Sequence, residues 1–280
     1  RSLRQYTHEN SQTRRHYDIV ENRIKTRMYP GYPDLYMQFS KENEFVFTPD
    51  WYRGIEYTKE QERGYDFNED LYVPGYFEME IKPGESIVFS GGDSETDTED
   101  LLQLFADEVE ERTPRDNFRH CLINAAHQFL NRQGDESYVL AGYPWFKCRA
   151  RDMFVSLPGL MLANKEVEKF DEVMETAQKA IYAFMAGEPT DPKLTEIEHP
   201  DVLMWAVWAI QQYAKMVSRD VARQKYLPLV AAIMRYLSDS KHPNLKVQDN
   251  GLVYAEGRNK AITWMNSTAG GRLVIPRSGY

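Results

Sequence analysis

The spacing of apolar residues changes from every second position to every third or fourth position near residue 91. Before that point, residues 35–39 and 77–82 alternate apolar and polar side chains, and Pro-Gly pairs stand at 74–75 and 83–84. An alternation of period two predicts strands, and the Pro-Gly pairs predict the turns between them. We therefore expect an antiparallel β-module over about residues 30–90.

After the acidic run at 95–100, the apolar spacing is typical of helices. Leu101, Leu104 and Phe105 share one helical face, and a second apolar stripe begins at Phe118. Asp and Glu at 95–100 suit a helix N-terminus because they meet the positive end of its dipole. Further helices are predicted over 154–162, 167–185, 202–217 and 221–237, with Pro158-Gly159 interrupting the first of them.

The charge balance argues against a nucleic-acid partner. The 280 residues contain 34 Lys and Arg against 43 Asp and Glu, which gives a formal net charge of −9. Sequence-independent binding to nucleic acid rests on Lys and Arg, so we expect none here. Since no apolar run approaches about 18 residues, we also expect no membrane-spanning helix, and no membrane partner.

The sequence contains none of the common motifs that bind metals or cofactors. His120 and His127 could share a helix face, but no HExxH motif and no Cys pair accompanies them. The sequence has no P-loop, GxGxxG or GxSxG motif, so we expect neither a metal nor a cofactor. Cys148 stands between Lys147 and Arg149, which would lower its thiol pKa. No His lies near it in sequence, so a catalytic thiol is not expected.

Residues 141–152 combine neighbouring aromatic side chains with an Arg-Asp pair. Trp145 and Phe146 could pack on the C–H groups of a sugar, while Arg151 and Asp152 bind its hydroxyls. The alternative is that the aromatic residues belong to the core and the charged pair is a surface ion pair or a helix cap. The residue types alone leave both interpretations open.

A second stretch leads into the predicted helix over 202–217. Asp201 immediately precedes that helix, so its carboxylate is either an N-cap or a group that points into a site at the helix end. Trp205 and Trp208 lie on one face of the helix, which is more typical of core than of a ligand platform.

A third stretch lies near the end of the sequence. Residues 251–267 contain Tyr254, Glu256 and Trp264 within two loop-like segments. Two aromatic side chains and one carboxylate suit a sugar site, whereas the alternative is that Glu256 is simply exposed.

Taken in order, these stretches resemble the C-terminal glucosidase domain of glycogen debranching enzymes. The motif of that family reads A-G-Y-P-W-F-x-R-W-G-R-D-T-x-x-x-L-P-G-L, and residues 141–160 read AGYPWFKCRARDMFVSLPGL. Residues 201–205 are similar to the family's D-A-S-L-W, and 251–279 are similar to G-L-L-Y-A…T-W-M-D…P-R-x-G. Residues 66–77 resemble the segment that ends the family's N-terminal β-domain. Several ordered motifs together are far more specific than any one alone.

The resemblance implies an α+β multidomain fold that is mainly α. Residues 1–92 would be the end of an antiparallel β-sandwich domain, 93–114 a linker helix, and 115–280 a partial (α/α)6 toroid. The family continues beyond the matched region with a V-E-x-N-A-L-W-Y segment whose Glu is the expected general base. The resemblance therefore predicts a truncated chain that lacks this base, expected beyond Tyr280, and is inactive in isolation.

The implied activity is that of a cytoplasmic glycoside hydrolase that needs no cofactor. It would hydrolyse the α-1,6-linked glucose at branch points of glycogen or a related α-glucan, with inversion. The resemblance implies that six residues bind the substrate, namely Trp145, Phe146, Arg151, Asp152, Asp201 and Trp264.

Two departures from the family pattern bear on this activity. Asn266 stands where the family has the Asp that is the expected general acid, and an amide cannot protonate a leaving oxygen. Glu256 is a weak candidate for the lost role, and Asp152 another. Arg149-Ala150 replaces the family's Trp-Gly, which puts the substrate preference in question. The alternatives are a non-catalytic α-glucan-binding relative, or a toroid glycosidase of other linkage specificity. The sequence gives neither the linkage and chain-length specificity nor the oligomeric state.

Overall fold

The computed structural model describes residues 8–20, 23–143, 146–257 and 261–279. The chain divides into two compact units, Arg1–Arg112 and Thr113–Tyr280. Helices and small sheets together give a mixed α and β structure, which confirms the broad fold class. The sandwich, the toroid and the predicted domain limits stay predictions.

The first unit is built from antiparallel strands. Strands β1, β2, β3 and β6 form a four-stranded sheet in that order, and β4 and β5 form a separate long hairpin. The bounds are β1 Tyr17–Val20, β2 Arg23–Thr26, β3 Leu35–Phe39, β4 Glu44–Glu56, α1 Thr58–Glu62, β5 Asn68–Glu78, β6 Phe89–Gly92 and α2 Leu101–Glu111.

The alternation of apolar residues predicted one of these strands well and another only in part. The run at 35–39 coincides with β3, so this strand is confirmed. The run at 77–82 was expected to continue as a strand, and this was wrong, because β5 ends at Glu78. The reason is that β4 begins at Glu44, directly opposite Glu78, so β4 offers no partner to the residues that follow.

The second unit is mainly helical. Its helices are α3 Phe118–His127, α4 Ala150–Leu160, α5 Val167–Ala186, α6 Val202–Met216 and α7 Arg219–Ser238. Its strands are short: β7 Leu130–Gln133, β8 Glu136–Val139, β9 Cys148–Arg149, β10 Leu194–Thr195, β11 Leu245–Val247, β12 Val253–Ala255, β13 Thr268–Ala269 and β14 Arg272–Leu273. Across the described part of the chain, the helices are too short or too polar to cross a membrane.

The helices of the second unit confirm the apolar spacing of the sequence. Helices α5, α6 and α7 begin and end within two residues of the predicted limits. Helix α4 begins at Ala150, four residues before the predicted start, and it contains Pro158 near its C-terminal end. A proline removes only one backbone hydrogen bond there, and Pro158 is itself buried in the core.

One continuous core fixes the relative positions of α4, α5, α6 and α7. Met153, Phe154 and Leu157 on α4 are almost completely buried. Phe170 of α5 packs against Tyr213 of α6 with ring centroids 5.2 Å apart. Because α4 and α6 are anchored in the same core, their N-terminal ends are held in fixed positions in the second unit.

A short parallel pair brings a loop to the beginning of α4. Leu194 pairs with Cys148, and Thr195 pairs with Arg149. The Thr195 hydroxyl also donates to the Cys148 carbonyl oxygen at 3.2 Å. The loop that follows β10, residues 196–201, therefore starts beside the residues that lead into α4.

Candidate active site

A buried ion pair joins the N-terminal ends of α4 and α6. The Arg151 guanidinium donates from Nε to Asp201 Oδ2 at 2.7 Å and from Nη2 to Asp201 Oδ1 at 2.8 Å. The Arg151 side chain is 4% exposed and that of Asp201 is 16% exposed. Two parallel hydrogen bonds in this fork-to-fork geometry are strong and directional. The pair fixes the start of α4 against the start of α6.

The carboxylate of Asp201 does not cap α6, although it stands at the N-cap position. No backbone N–H of the helix donates to its side chain. Trp205 Nε1 donates to Asp201 Oδ2 at 3.1 Å, and both carboxylate oxygens accept from Arg151. The N-cap interpretation was therefore wrong, because this carboxylate accepts hydrogen bonds from Arg151 and from the Trp205 indole instead.

His199 completes the surroundings of the Arg151 guanidinium. Arg151 Nη2 lies 3.0 Å from His199 Nδ1, and a guanidinium can only donate, so Nδ1 accepts. Burial lowers the pKa of His199 below its usual value of 6.5, and the charge of Arg151 lowers it further. The imidazole is therefore neutral at neutral pH and carries its proton on Nε2.

The lowered pKa of His199 predicts a loss of stability on mild acidification. Below pH 6.5 the unfolded chain binds a proton at this histidine that the folded chain does not bind. The free energy of unfolding should therefore be highest above pH 6.5 and fall as the pH decreases toward the folded-state pKa. Urea unfolding of the protein and of His199→Gln at several pH values measures this. The variant should lose less stability over this window, and equal pH slopes for both proteins would contradict the assignment.

Glu196 connects the first and third stretches that the sequence singled out. Its Oε1 lies 3.5 Å from Arg149 Nε, and its Oε2 lies 3.7 Å from Arg151 Nη1. Asn266 Nδ2 donates to Glu196 Oε2 at 3.4 Å. The backbone φ of Glu196 is 65°, in the left-handed region that residues other than glycine rarely adopt. Sequence reasoning missed Glu196, which stands five residues before Asp201.

Phe146 extends this cluster through a cation–π contact. The Arg149 guanidinium carbon lies 5.0 Å from the centroid of the Phe146 ring, and Phe146 is 48% exposed. Arg149 thus places its charge between an exposed aromatic face and Glu196. Trp145, the other predicted aromatic contact of this stretch, lies outside the described residues.

Asp152 and Cys148 differ in their availability for chemistry. Asp152 is half-buried in the first turn of α4, and within the described residues its carboxylate takes part in no hydrogen bond or ion pair. Cys148 is buried, and burial raises the pKa of its thiol. The expectation that its basic neighbours lower this pKa was therefore wrong, because desolvation outweighs them.

The third stretch separates into two parts. Trp264 is 72% exposed, and its carbonyl oxygen accepts from the Asn266 backbone N–H at 2.9 Å, so these residues share one tight turn. Glu256 instead accepts from the Ser278 hydroxyl at 2.9 Å. The described contacts thus place Asn266 in the Glu196 cluster and Glu256 with the segment around Ser278.

A close backbone approach fixes Glu256 in this second group. A methyl group on Gly257 would lie 1.6 Å from the Arg277 carbonyl oxygen, so only glycine fits there. The Ala255 N–H also donates to the Gly279 carbonyl oxygen at 2.8 Å. The hypothesis that Glu256 takes the acid's role in place of residue 266 stays a prediction.

The arrangement is that of a polar site framed by buried charges. Arg151 and Asp201 form two hydrogen bonds with each other, and this pair holds the starts of α4 and α6 together. Asn266 contacts Glu196, Phe146 contacts Arg149, Trp264 shares a turn with Asn266, and Asp152 follows Arg151 on α4. Carboxylates and amides that bind hydroxyls, together with exposed aromatic rings, are suited to a carbohydrate.

Comparison with known proteins gives two matches to models of protein families. Residues 1–88 match the family described as glycogen debranching enzyme N terminal, and residues 124–280 match the family described as amylo-alpha-1,6-glucosidase. Searches of curated proteins and of solved structures found no match. The second family model covers 157 of the 280 residues and includes every member of the cluster around Glu196.

Proposed function

Because the chain belongs to the amylo-alpha-1,6-glucosidase family, we propose that its second unit acts on the α-1,6-linked glucose at branch points of glycogen or a related α-glucan. Membership of this family indicates glycoside hydrolase activity on glycogen. The linkage, the inversion and the residues that perform the reaction belong to the proposal. The observation that carries it is the contact of Glu196 with both Arg151 and Asn266, since it joins two separate family motifs in one cluster.

The cluster supplies most of what recognition of a terminal glucose requires. The Asp152 carboxylate is proposed to accept hydrogen bonds from sugar hydroxyls at the start of α4. Trp264 and Phe146 offer exposed rings that can pack on the apolar face of a pyranose. The ion pair between Arg151 and Asp201 is proposed to keep Asp152 and Glu196 in place, because Arg151 is too enclosed by its own partners to bend toward a ligand.

The reaction also needs two catalytic groups, an acid and a base. In inverting hydrolysis an acid protonates the leaving oxygen while a base about 6.5–9.5 Å away activates water. We propose that position 266 lies at the leaving oxygen. Asn266 donates a hydrogen bond there without releasing a proton, so turnover is expected to be slow. The base is not assigned among the residues described.

The proposed setting of this site is part of an (α/α) toroid. Helices α6 and α7 are consecutive, separated by only Val217 and Ser218, and they pack against each other as a hairpin. Helix α4 also packs on α6. This hairpin and its packing beside α4 support the toroid that the family resemblance implies.

Release of glucose from a singly branched limit dextrin tests the proposed hydrolysis. The encoded full-length protein should release free glucose, and Asp152→Asn should release much less. Linear maltooligosaccharide serves as the substrate control. Glucose release no greater than that of a protein-free control would overturn the proposal.

A second candidate function is α-glucan binding without hydrolysis. The hydrogen bond from the Asn266 amide to Glu196 favours it, because that geometry holds a neutral donor where the family has an acid. Isothermal titration calorimetry with maltooligosaccharides distinguishes the two functions. Saturable binding without release of glucose from the branched dextrin would support binding alone.

Trp264 should contribute to affinity and little to stability. Its side chain is largely exposed, so Trp264→Ala removes a stacking platform and almost no core packing. An aromatic contact of this kind is worth about 0.5–1.5 kcal/mol beyond the area it buries, so we expect at least roughly 2–13-fold weaker binding of a branched oligosaccharide. Calorimetric titration measures the change. Phe118→Ala, at a comparably exposed aromatic residue of α3, is the matched control and should bind normally. Equal affinities for Trp264→Ala and the unchanged protein would contradict the platform role.

A further inference from the structure

Glu196 has a backbone conformation that its own side chain disfavours. Its φ of 65° is unfavourable for a residue with a Cβ atom, and such strain persists only where surrounding contacts fix it. Those contacts come from its carboxylate, which faces Arg149 and Arg151 at the start of α4, His199 on its own loop, and Asn266 on the loop near the end of the chain. Three separate segments therefore converge on one side chain.

Two positive charges lie beside this carboxylate. The guanidinium groups of Arg149 and Arg151 both lie within 4 Å of it. The third titratable neighbour, His199, has its Nδ1 3.9 Å from Glu196 Oε2, and that nitrogen accepts from Arg151, so the imidazole brings no proton to the carboxylate. Glu196 is thus a fixed hydrogen-bond acceptor for residue 266.

The Asn266 amide donates to this acceptor in the way that a protonated carboxyl group would. An ionised carboxyl at position 266 would instead place two negative charges about as close as the present 3.4 Å contact. Two carboxylates at such a distance cannot both ionise, and they share one proton. A carboxyl group at position 266 would therefore hold its proton more tightly beside Glu196 than it would alone.

We propose, on the basis of the function proposed above, that Glu196 is a positioning residue that keeps a carboxyl group at position 266 protonated, and that Asn266 preserves this hydrogen bond without a transferable proton. Glu196 acts through residue 266 and does not itself touch the sugar. Arg149, where the family motif has Trp, takes part in this role because its Nε lies 3.5 Å from Glu196 Oε1 and helps to hold that carboxylate in place.

Titration of the carboxyl group introduced by Asn266→Asp tests this role directly. Aspartate labelled with ¹³C at its carboxyl carbon gives one additional resonance relative to the unchanged protein, and its shift against pH gives the pKa. Adding Glu196→Gln should lower that pKa by about one unit or more, because the neighbouring negative charge is lost. Adding Glu198→Gln, two residues away on the same loop, should leave it unchanged. The same pKa with and without Glu196→Gln would overturn the inference.

The unchanged protein provides a second measurement if the double variant does not fold. The side-chain amide resonances of Asn266, assigned by their loss in Asn266→Asp, should move when Glu196→Gln removes the charged acceptor. Unmoved resonances would overturn the inference as well. Both measurements are independent of catalysis, so a failure to release glucose would refute the proposed hydrolysis while the titration still decides the role of Glu196.

Discussion

Asn266→Asp should raise the rate of glucose release from a branched limit dextrin by about 10²–10⁴-fold. The substitution supplies a proton donor at the position where the family motif has one, and it leaves the size of the side chain nearly unchanged. Glu196 Oε2 lies 3.4 Å from the Asn266 amide nitrogen, and a neighbouring carboxylate favours the protonated form of the new carboxyl. Steady-state assays of glucose release by the encoded full-length protein, with and without the substitution, measure the gain.

A matched substitution controls for a general effect of added charge. Asn250→Asp introduces the same group in an exposed turn, where Asn250 accepts from the Leu252 N–H, and it should not change the rate. The gain should also disappear at high pH, where the new carboxyl loses its proton. No gain for Asn266→Asp, or an equal gain for Asn250→Asp, would show that position 266 is not the site of proton transfer.

Asp201→Ala should lower the free energy of unfolding by about 3–5 kcal/mol. The substitution removes both hydrogen bonds from the buried Arg151 guanidinium and leaves Glu196, at 3.7 Å, as its remaining carboxylate neighbour. An uncompensated charge in the interior costs much more than the loss of an exposed pair. Thermal unfolding followed by far-ultraviolet circular dichroism should show a lower Tm for the variant, by roughly 6–20 °C.

A surface pair provides the comparison for Asp201. Asp239 pairs with Lys241 at 3.1 Å, and both side chains are largely exposed. Asp239→Ala should therefore change the free energy of unfolding by no more than about 1 kcal/mol. If Asp201→Ala were as mild as Asp239→Ala, the buried pair would not be the frame that joins α4 to α6.

The helices of the second unit follow from local patterns in the sequence. The apolar spacing that begins at Val167 and Val202 is sufficient to place α5 and α6, because a helix needs only one continuous apolar face to be recognised. The predicted start of α4 was four residues later than its observed start at Ala150. Residues 150–153 include Arg151 and Asp152, and a charged pair breaks an apolar stripe even where the arginine is buried.

The site was predictable only where its residues belong to a motif. Arg151, Asp201 and Asn266 stand in stretches that the family resemblance singles out, and the structure connects them through Glu196. Glu196 itself gives no local signal. Its role depends on the parallel pairing of β9 with β10 and on a loop 70 residues further along the chain. A left-handed backbone at a glutamate cannot be inferred from residue type either, since most residues at positive φ are glycine.

The most direct test is a crystal structure of the protein with a singly glucosyl-branched maltooligosaccharide. We predict that the terminal α-1,6-linked glucose lies with its hydroxyls within hydrogen-bond distance of Asp152 and its glycosidic oxygen beside the Asn266 side chain. Trp264 should contact the sugar, and the hydrogen bonds between Arg151 and Asp201 should remain intact. A terminal glucose bound elsewhere on the molecule, with no ligand contact to the cluster around Glu196, would contradict the proposed site.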